Sequence, residues 1–299
     1  PPPDLLLQYQ EVRDRAEARL HLGETAEALT LLRESLEVAQ AIGDPVLVDR
    51  AVCNRAAVSM LLGASLEVVP ELRAVLNHHL EETNSWLAAY NLSLVYERRK
   101  DFKKGAFYAR VAGNVVRRIG KPEWIASSLN QLANCLVGDC HYEAAAPLYT
   151  EALEHLPPEE EHRRYHILEN VGYCSIFMGK RQDGLKILYQ SLRGLRHTGN
   201  FEALMLNHID LSFALLEESR YRYSAKHAMA GLKLAEEHGY PEAKRNALYI
   251  LGQASRLAGD ADQAAGFFQW LQEEFFPGSP EVSSFLHAVD VRPMLNLRA

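Results

Sequence analysis

Apolar residues in this chain recur at intervals of three and four, and almost no segment alternates with a period of two. That spacing gathers apolar side chains on one face of a helix with 3.6 residues per turn, so the pattern predicts an all-α protein. Short turns interrupt the helical pattern, and the interruptions are themselves periodic. They fall in "LGE" at Gly23, "LGA" at Gly63, "RRKD" at Lys100, "GDCH" at Cys140, "MGK" at Gly179, "ESR" at Ser219 and "AGD" at Gly259. Successive spacings are 40, 37, 40, 39, 40 and 40 residues. Self-similarity at such a period marks stacked two-helix units, and seven of them are predicted.

Close packing gives a second pattern, independent of the turns. Seven residues before each turn stand Ala16, Ala56, Ser93, Ala133, Gly172, Ser212 and Gly252, all of them small. Five residues after each turn stand Ala28, Val68, Gly105, Ala145, Gly184, Ser224 and Ala264, small in every case but Val68. Two small positions twelve apart across a turn are what a tightly crossed helical hairpin needs. The second unit is the weakest, since Arg55 and Val68 break its pattern.

In the fourth unit Leu129, Leu132, Ala133 and Leu136 precede the turn, and Ala145, Tyr149, Ala152 and Pro157 follow it. Together with Leu248, Leu251, Gly252, Ala264 and Phe268 of the seventh unit, these residues resemble the tetratricopeptide pattern in type and spacing, with Leu in place of the family's usual first-helix aromatics. The resemblance covers residues 5 to 277. It departs in period, which is nearer 40 than 34, and the additional residues fall in links such as "AIGDPVLV", "RIGKPEWI", "HTGNFEAL" and "EHGYPEAK". Gly followed by a polar residue or Tyr, and then often Pro, stops one helix and starts the next. Longer units with such links resemble the variant found in bacterial signal-responsive regulators, peptide-pheromone receptors and kinesin-light-chain-like adaptors. The expected architecture is a right-handed α-solenoid of seven helix-turn-helix repeats over residues 1–277. Residues 278–299 follow as a C-terminal capping helix and a loose tail, because a terminal repeat exposes a face that needs cover.

Composition agrees with a folded protein: 299 residues are 47% hydrophobic and 24% charged. The 32 Lys+Arg and 39 Asp+Glu residues give a formal net charge of -7, which opposes attraction of the whole surface to nucleic acid or an anionic membrane. No run of about 18 apolar residues occurs, and "PPPDLLLQYQ" lacks the regions of a secretory signal, so a cytoplasmic location and no membrane association are expected. The chain begins without Met, as a trimmed or partial sequence would. Cys53, Cys135, Cys140 and Cys174 form no C-x-x-C pair and sit mostly among apolar helical residues, which reads as buried reduced thiols. His162 and His166 are four apart but have no third ligand at a telling spacing, so no metal site is expected. No phosphate loop, nucleophile elbow, zinc-protease or calcium-loop pattern is present. The carboxylates of "PPEEEH", Glu159 to Glu161, suit a helix start. No catalytic residue and no cofactor is expected.

Surface recognition is what remains. The resemblance implies that the first helix of each unit lines an inner, concave face. Two residues before each small first-helix position stand Asp14, Asn54, Asn91, Gln131, Asn170, Asp210 and Ile250, so Asn, Gln or Asp recurs at six of seven places. Amides both donate and accept, and a ladder of them suits the backbone of an extended peptide. In peptide-binding members of the family an asparagine does this, and the matching residues are Asn54, Asn91 and Asn170, with Gln131 as a substitute. Arg50, Tyr90, Asn130, Asn134, His166, Tyr173, Asn246, Tyr249, Gln253 and Arg256 are neighbouring groove candidates, with the tyrosines partly exposed. The same column serves equally to bond one unit to the next and set the stacking. A second surface feature is the basic run Arg98, Arg99, Lys100, Lys103, Lys104, Arg110, Arg117, Arg118 and Lys121, interrupted by Asp101. The expectation is a non-catalytic module that captures a protein or peptide segment. The alternatives are assembly through the convex face or ends, and phosphate or nucleic-acid contact through the basic run. Oligomeric state is left open.

Overall fold

The computed structural model describes residues 3–63 and 66–298; Pro1, Pro2, Ala64 of the second predicted turn, Ser65 and Ala299 lie outside the described residues. Among the described residues there is no strand. The chain divides into two compact units, residues 1–139 and 140–299, each a succession of packed helices. The first contains α1 (Pro3–His21), α2 (Thr25–Ile42), α3 (Pro45–Leu61), α4 (Val69–His78), α5 (Glu82–Arg98), α6 (Phe102–Ile119) and α7 (Pro122–Gly138). The second contains α8 (Tyr142–His155), α9 (Glu161–Phe177), α10 (Arg181–Leu195), α11 (Phe201–Glu217), α12 (Tyr221–His238), α13 (Pro241–Leu257), α14 (Ala261–Phe275) and α15 (Val282–Ala288), followed by a 3-10 turn at Arg292–Met294.

Each of the seven predicted turns is closed by a residue in the left-handed region. Gly23, Gly63, Gly179 and Gly259 adopt it at φ 78, 91, 79 and 88°, and Lys100, Cys140 and Ser219 at 60, 60 and 58°. The links between hairpins end their helices the same way at Gly43, Gly120 and Gly239. Restarts are capped by side chains: Asp44 accepts from Val46 N at 2.9 Å with Pro45 behind it, and Asn200 accepts from Ala203 N at 3.0 Å. Such a bond satisfies one of the amide donors that every helix start leaves open.

The small positions are where paired helices touch. Ser93 Oγ donates across its hairpin to the Gly105 carbonyl at 2.9 Å, and Ser224 Oγ donates to the Ser212 carbonyl at 2.8 Å. A methyl group on Gly184 would stand 2.9 Å from the Gly172 carbonyl oxygen, and one on Gly252 2.4 Å from the Phe268 ring. The second hairpin pays for its irregular sequence with a short second helix: α4 has 10 residues, where α2 and α6 have 18. Arg55 is accommodated by an ion pair to Glu71 on α4, and Val68 is buried just before α4 begins. After α15, the residues expected to form a loose tail are bonded to α9, α11 and α13 instead.

Candidate functional site

In the first unit the amide column faces neighbouring protein. Asn91 is only 4% exposed, and its Nδ2 donates to the Cys53 carbonyl on α3 at 3.0 Å. Gln131 on α7 is buried and donates to Ser93 Oγ at 3.2 Å and to Glu97 at 2.8 Å, both on α5. These bonds join the first helix of one hairpin to that of the next, which is the stacking role the column admits. Asn54 is half-buried, and so are Asn130, whose Oδ1 has no partner, and Asn134. Arg50 reaches from α3 to Asn84 and to Glu81 at 2.9 Å. Tyr90 stacks on Trp86 at 5.5 Å, and Trp86 stacks in turn on Trp124 at 4.2 Å.

The basic run is partly neutralised by its surroundings. Arg98 donates to the Met60 carbonyl at the end of α3 at 2.6 Å, Lys104 pairs with Asp101 at 2.6 Å, and Arg118 pairs with Glu82 at 2.6 Å. Lys121 lies 4.0 Å from the centre of the Trp124 ring, while Lys100 occupies the turn itself. Arg99, Lys103, Arg110 and Arg117 are exposed.

The second unit brings its predicted residues together around one stretch of backbone. Tyr173 on α9 accepts from the Leu297 amide at 3.1 Å and donates to Asn296 Oδ1 at 2.9 Å. Asn246 on α13 donates to the Leu297 carbonyl at 3.0 Å, so the peptide groups on both sides of this residue are held by first-helix side chains. Leu297 itself is 6% exposed. Arg298 donates to Asp210 on α11 at 2.7 Å and to Glu169 on α9, and its guanidinium lies 4.7 Å from the centre of the Tyr173 ring. Further along, Gln253 Nε2 approaches the Leu286 carbonyl at 3.5 Å and its Oε1 accepts from Arg256 at 2.7 Å. Arg292 pairs with Asp290 and with Glu217 at the end of α11. His166 lies 3.9 Å from Glu169, and Asn170 is buried with no partner for its Nδ2.

Burial sets the electrostatics here. It pushes the Asp210 carboxyl well above the usual carboxylate range, with the Arg298 charge pulling the other way. Burial also raises the Tyr173 phenol, again against Arg298, and raises the Tyr249 phenol, whose hydroxyl is buried without a partner. Tyr173 and Tyr249 are therefore buried rather than partly exposed, because residues 290–298 lie beside them. Cys53, Cys135 and Cys174 are pushed up to about 12 by burial, which makes them inert thiols at neutral pH; Cys140 is exposed, in contrast to the expectation for it. Among the described residues no three His, Cys, Asp or Glu side chains are placed to hold a metal ion, and no helix is long and apolar enough to cross a membrane.

Four residues of this cluster are absent from the groove candidates read from the sequence: Glu169, Asp210, Asn296 and Arg298. Asp210 stands in the amide column, and Glu169 precedes Asn170, so an acid at or beside the column was the available signal. Nothing in the local pattern of "NLRA" connects it to helices 88 and 129 positions earlier.

No family model matches the sequence, and no curated protein does. Solved structures do. A Rap protein complexed with competence and sporulation factor aligns with all of this chain and 88% of its own, at 16% identity and a TM-score of 0.67. A signal-transduction ATPase with a tetratricopeptide repeat sensor, from Pyrococcus horikoshii, aligns with 97% of this chain at 13% identity and a TM-score of 0.67. This chain spans only 46% of that ATPase. A tetratricopeptide repeat protein from Parabacteroides merdae aligns with 94% of this chain and 97% of its own, at 14% identity and a TM-score of 0.59.

Proposed function

The chain has the tetratricopeptide-repeat fold, and from that premise we propose that it is a non-catalytic module that captures an extended protein segment on the inner face formed by its first helices. The observation that carries this reading is the treatment of Leu297: Tyr173 and Asn246 bind its amide and carbonyl, which are features any extended peptide presents. Side chains that read backbone in this way need no particular sequence, so specificity falls to their neighbours. One similar structure, the Rap protein, is complexed with a factor.

In this reading the amides of the first helices have two duties. Asn91 and Gln131 hold hairpin to hairpin, while Asn54, Asn246 and their neighbours are the groups offered to a partner. Within the basic run, Arg98, Lys104 and Arg118 are already engaged inside the chain and are not the groups that hold the segment in this reading. A cytoplasmic regulatory role, as sensor or scaffold, is the setting that fits such a module.

Site-specific photo-cross-linking tests the proposal. A photoreactive residue at position 54 on α3 or 134 on α7 is expected to capture partner protein in a native lysate, and one at exposed Lys233 on the second helix α12 is not. Cross-links from position 233 alone would overturn inner-face capture in favour of assembly through the second helices.

A further inference from the structure

The inner positions of α9 and α11 hold two carboxylates that water does not reach: Glu169 is 0% exposed and Asp210 2%. A carboxylate removed from water is strongly unfavourable unless a cation and hydrogen-bond donors replace the lost hydration. Here that replacement is a guanidinium. Arg298 bonds to both acids, and its planar group lies over the Tyr173 ring, which combines charge pairing with stacking on an aromatic face. Each carboxylate also keeps one buried oxygen without a hydrogen-bond partner, Glu169 Oε2, which lies 3.9 Å from His166, and Asp210 Oδ1.

One residue earlier the contacts change character. Leu297 is fixed through its backbone by Tyr173 and Asn246, and its side chain is buried. Before that, Pro293 and Met294 are exposed. The segment is thus held at a few points, backbone at one residue and guanidinium at the next, as a bound peptide is and as a core element is not.

We propose that Glu169, Asp210, Tyr173 and Asn246 form an arginine-reading site for extended segments, and that residues 296–298 occupy it as an internal ligand which a partner segment with a Leu-Arg pair displaces. The proposal rests on the segment-capture reading above and supplies its ligand class. A guanidinium suits the site better than an ammonium, because it is planar and weakly hydrated and so pairs with the buried acids while lying over the Tyr173 ring. The acidic cluster also rejects segments that place Asp or Glu at this point, since another acid buried beside Glu169 and Asp210 would have no counterion.

The test uses the whole chain and a fluorescein-labelled, C-terminally amidated peptide of sequence DVRPMLNLRA, read by anisotropy. Substituting Leu297→Asp and Arg298→Ala together releases the internal segment while leaving the four site residues in place. The released chain is expected to bind the peptide at least tenfold more tightly than the unaltered chain does. Replacing the peptide's final Arg by Ala is expected to weaken that binding at least tenfold, and replacing it by Lys to weaken it less. Equal binding of the Arg and Ala peptides would overturn the arginine reading while leaving segment capture standing. Binding of neither peptide to a released chain of undiminished helicity would overturn both. Should the released chain fail to fold, the unaltered chain decides by hydrogen exchange: millimolar peptide is expected to speed exchange of the Leu297 amide several-fold, the Ala peptide not, and an unchanged rate overturns internal-ligand displacement.

Discussion

At the scale of single residues, the backbone of the turns carries the clearest prediction. Ser219 holds φ at 58°, a conformation that costs a residue with a Cβ about 1 kcal/mol. Ser219→Gly is expected to stabilise the chain by about 0.5 kcal/mol once glycine's larger unfolded-state entropy is subtracted, and Gly179→Ala to destabilise it by about 1 kcal/mol, both read by urea denaturation. A second prediction concerns His208 on α11, whose Nδ1 lies 3.0 Å from Nδ1 of His227 on α12. Burial first, then the neighbouring His227 and Arg196, lower His208 from 6.5 to about 4. The unfolded chain therefore takes up a proton below pH 6.5 that the folded chain refuses until pH 4. Stability is full above pH 6.5 and falls as the pH drops toward 4, by about 2 kcal/mol at pH 5. His208→Gln is expected to flatten that part of the stability profile.

At the scale of helices and hairpins, the sequence was legible where geometry is local. All seven turn residues, the small pairs and the helix restarts follow from φ, Cβ and capping chemistry that act within a few residues. Not every helical glycine is a contact, however. Gly172→Ala would bring its methyl 2.7 Å from Leu188 Cγ and is expected to cost about 1–3 kcal/mol, whereas a methyl on Gly113 of α6 or Gly266 of α14 meets nothing within 4 Å. Gly113→Ala is therefore expected to stabilise by up to about 1 kcal/mol through helix propensity, and the two substitutions should move the thermal midpoint in opposite directions. The short α4 shows the limit of period counting. The repeat placed a turn there, but the length of α4 depends on packing around Val68 and Leu72, which no turn signal encodes.

At the scale of the whole molecule, the links that matter join residues far apart in sequence. Tyr173 and Leu297 are 124 positions apart, and no periodic pattern predicts their bond. The amide column was visible as a column, yet its purpose at Asn91 depended on where the Cys53 carbonyl falls, and its purpose around Tyr173 depended on a segment outside the repeat. Tyr173→Phe removes the acceptor of the Leu297 amide and the donor to Asn296 Oδ1, while the ring stays. Exchange of that amide is expected to quicken at least tenfold while helicity is unchanged, measured by hydrogen exchange with fragment analysis.

The covalent connection between α15 and Arg298 has one further consequence. A segment joined to its own site by a short run of residues competes at an effective concentration of roughly millimolar, whatever the amount of protein in solution. An outside segment of equal intrinsic affinity then registers only when its local abundance approaches that level, or when it makes additional contacts. The tether would make the module a threshold device, silent to dilute copies of its ligand and responsive to crowded or multiply attached ones.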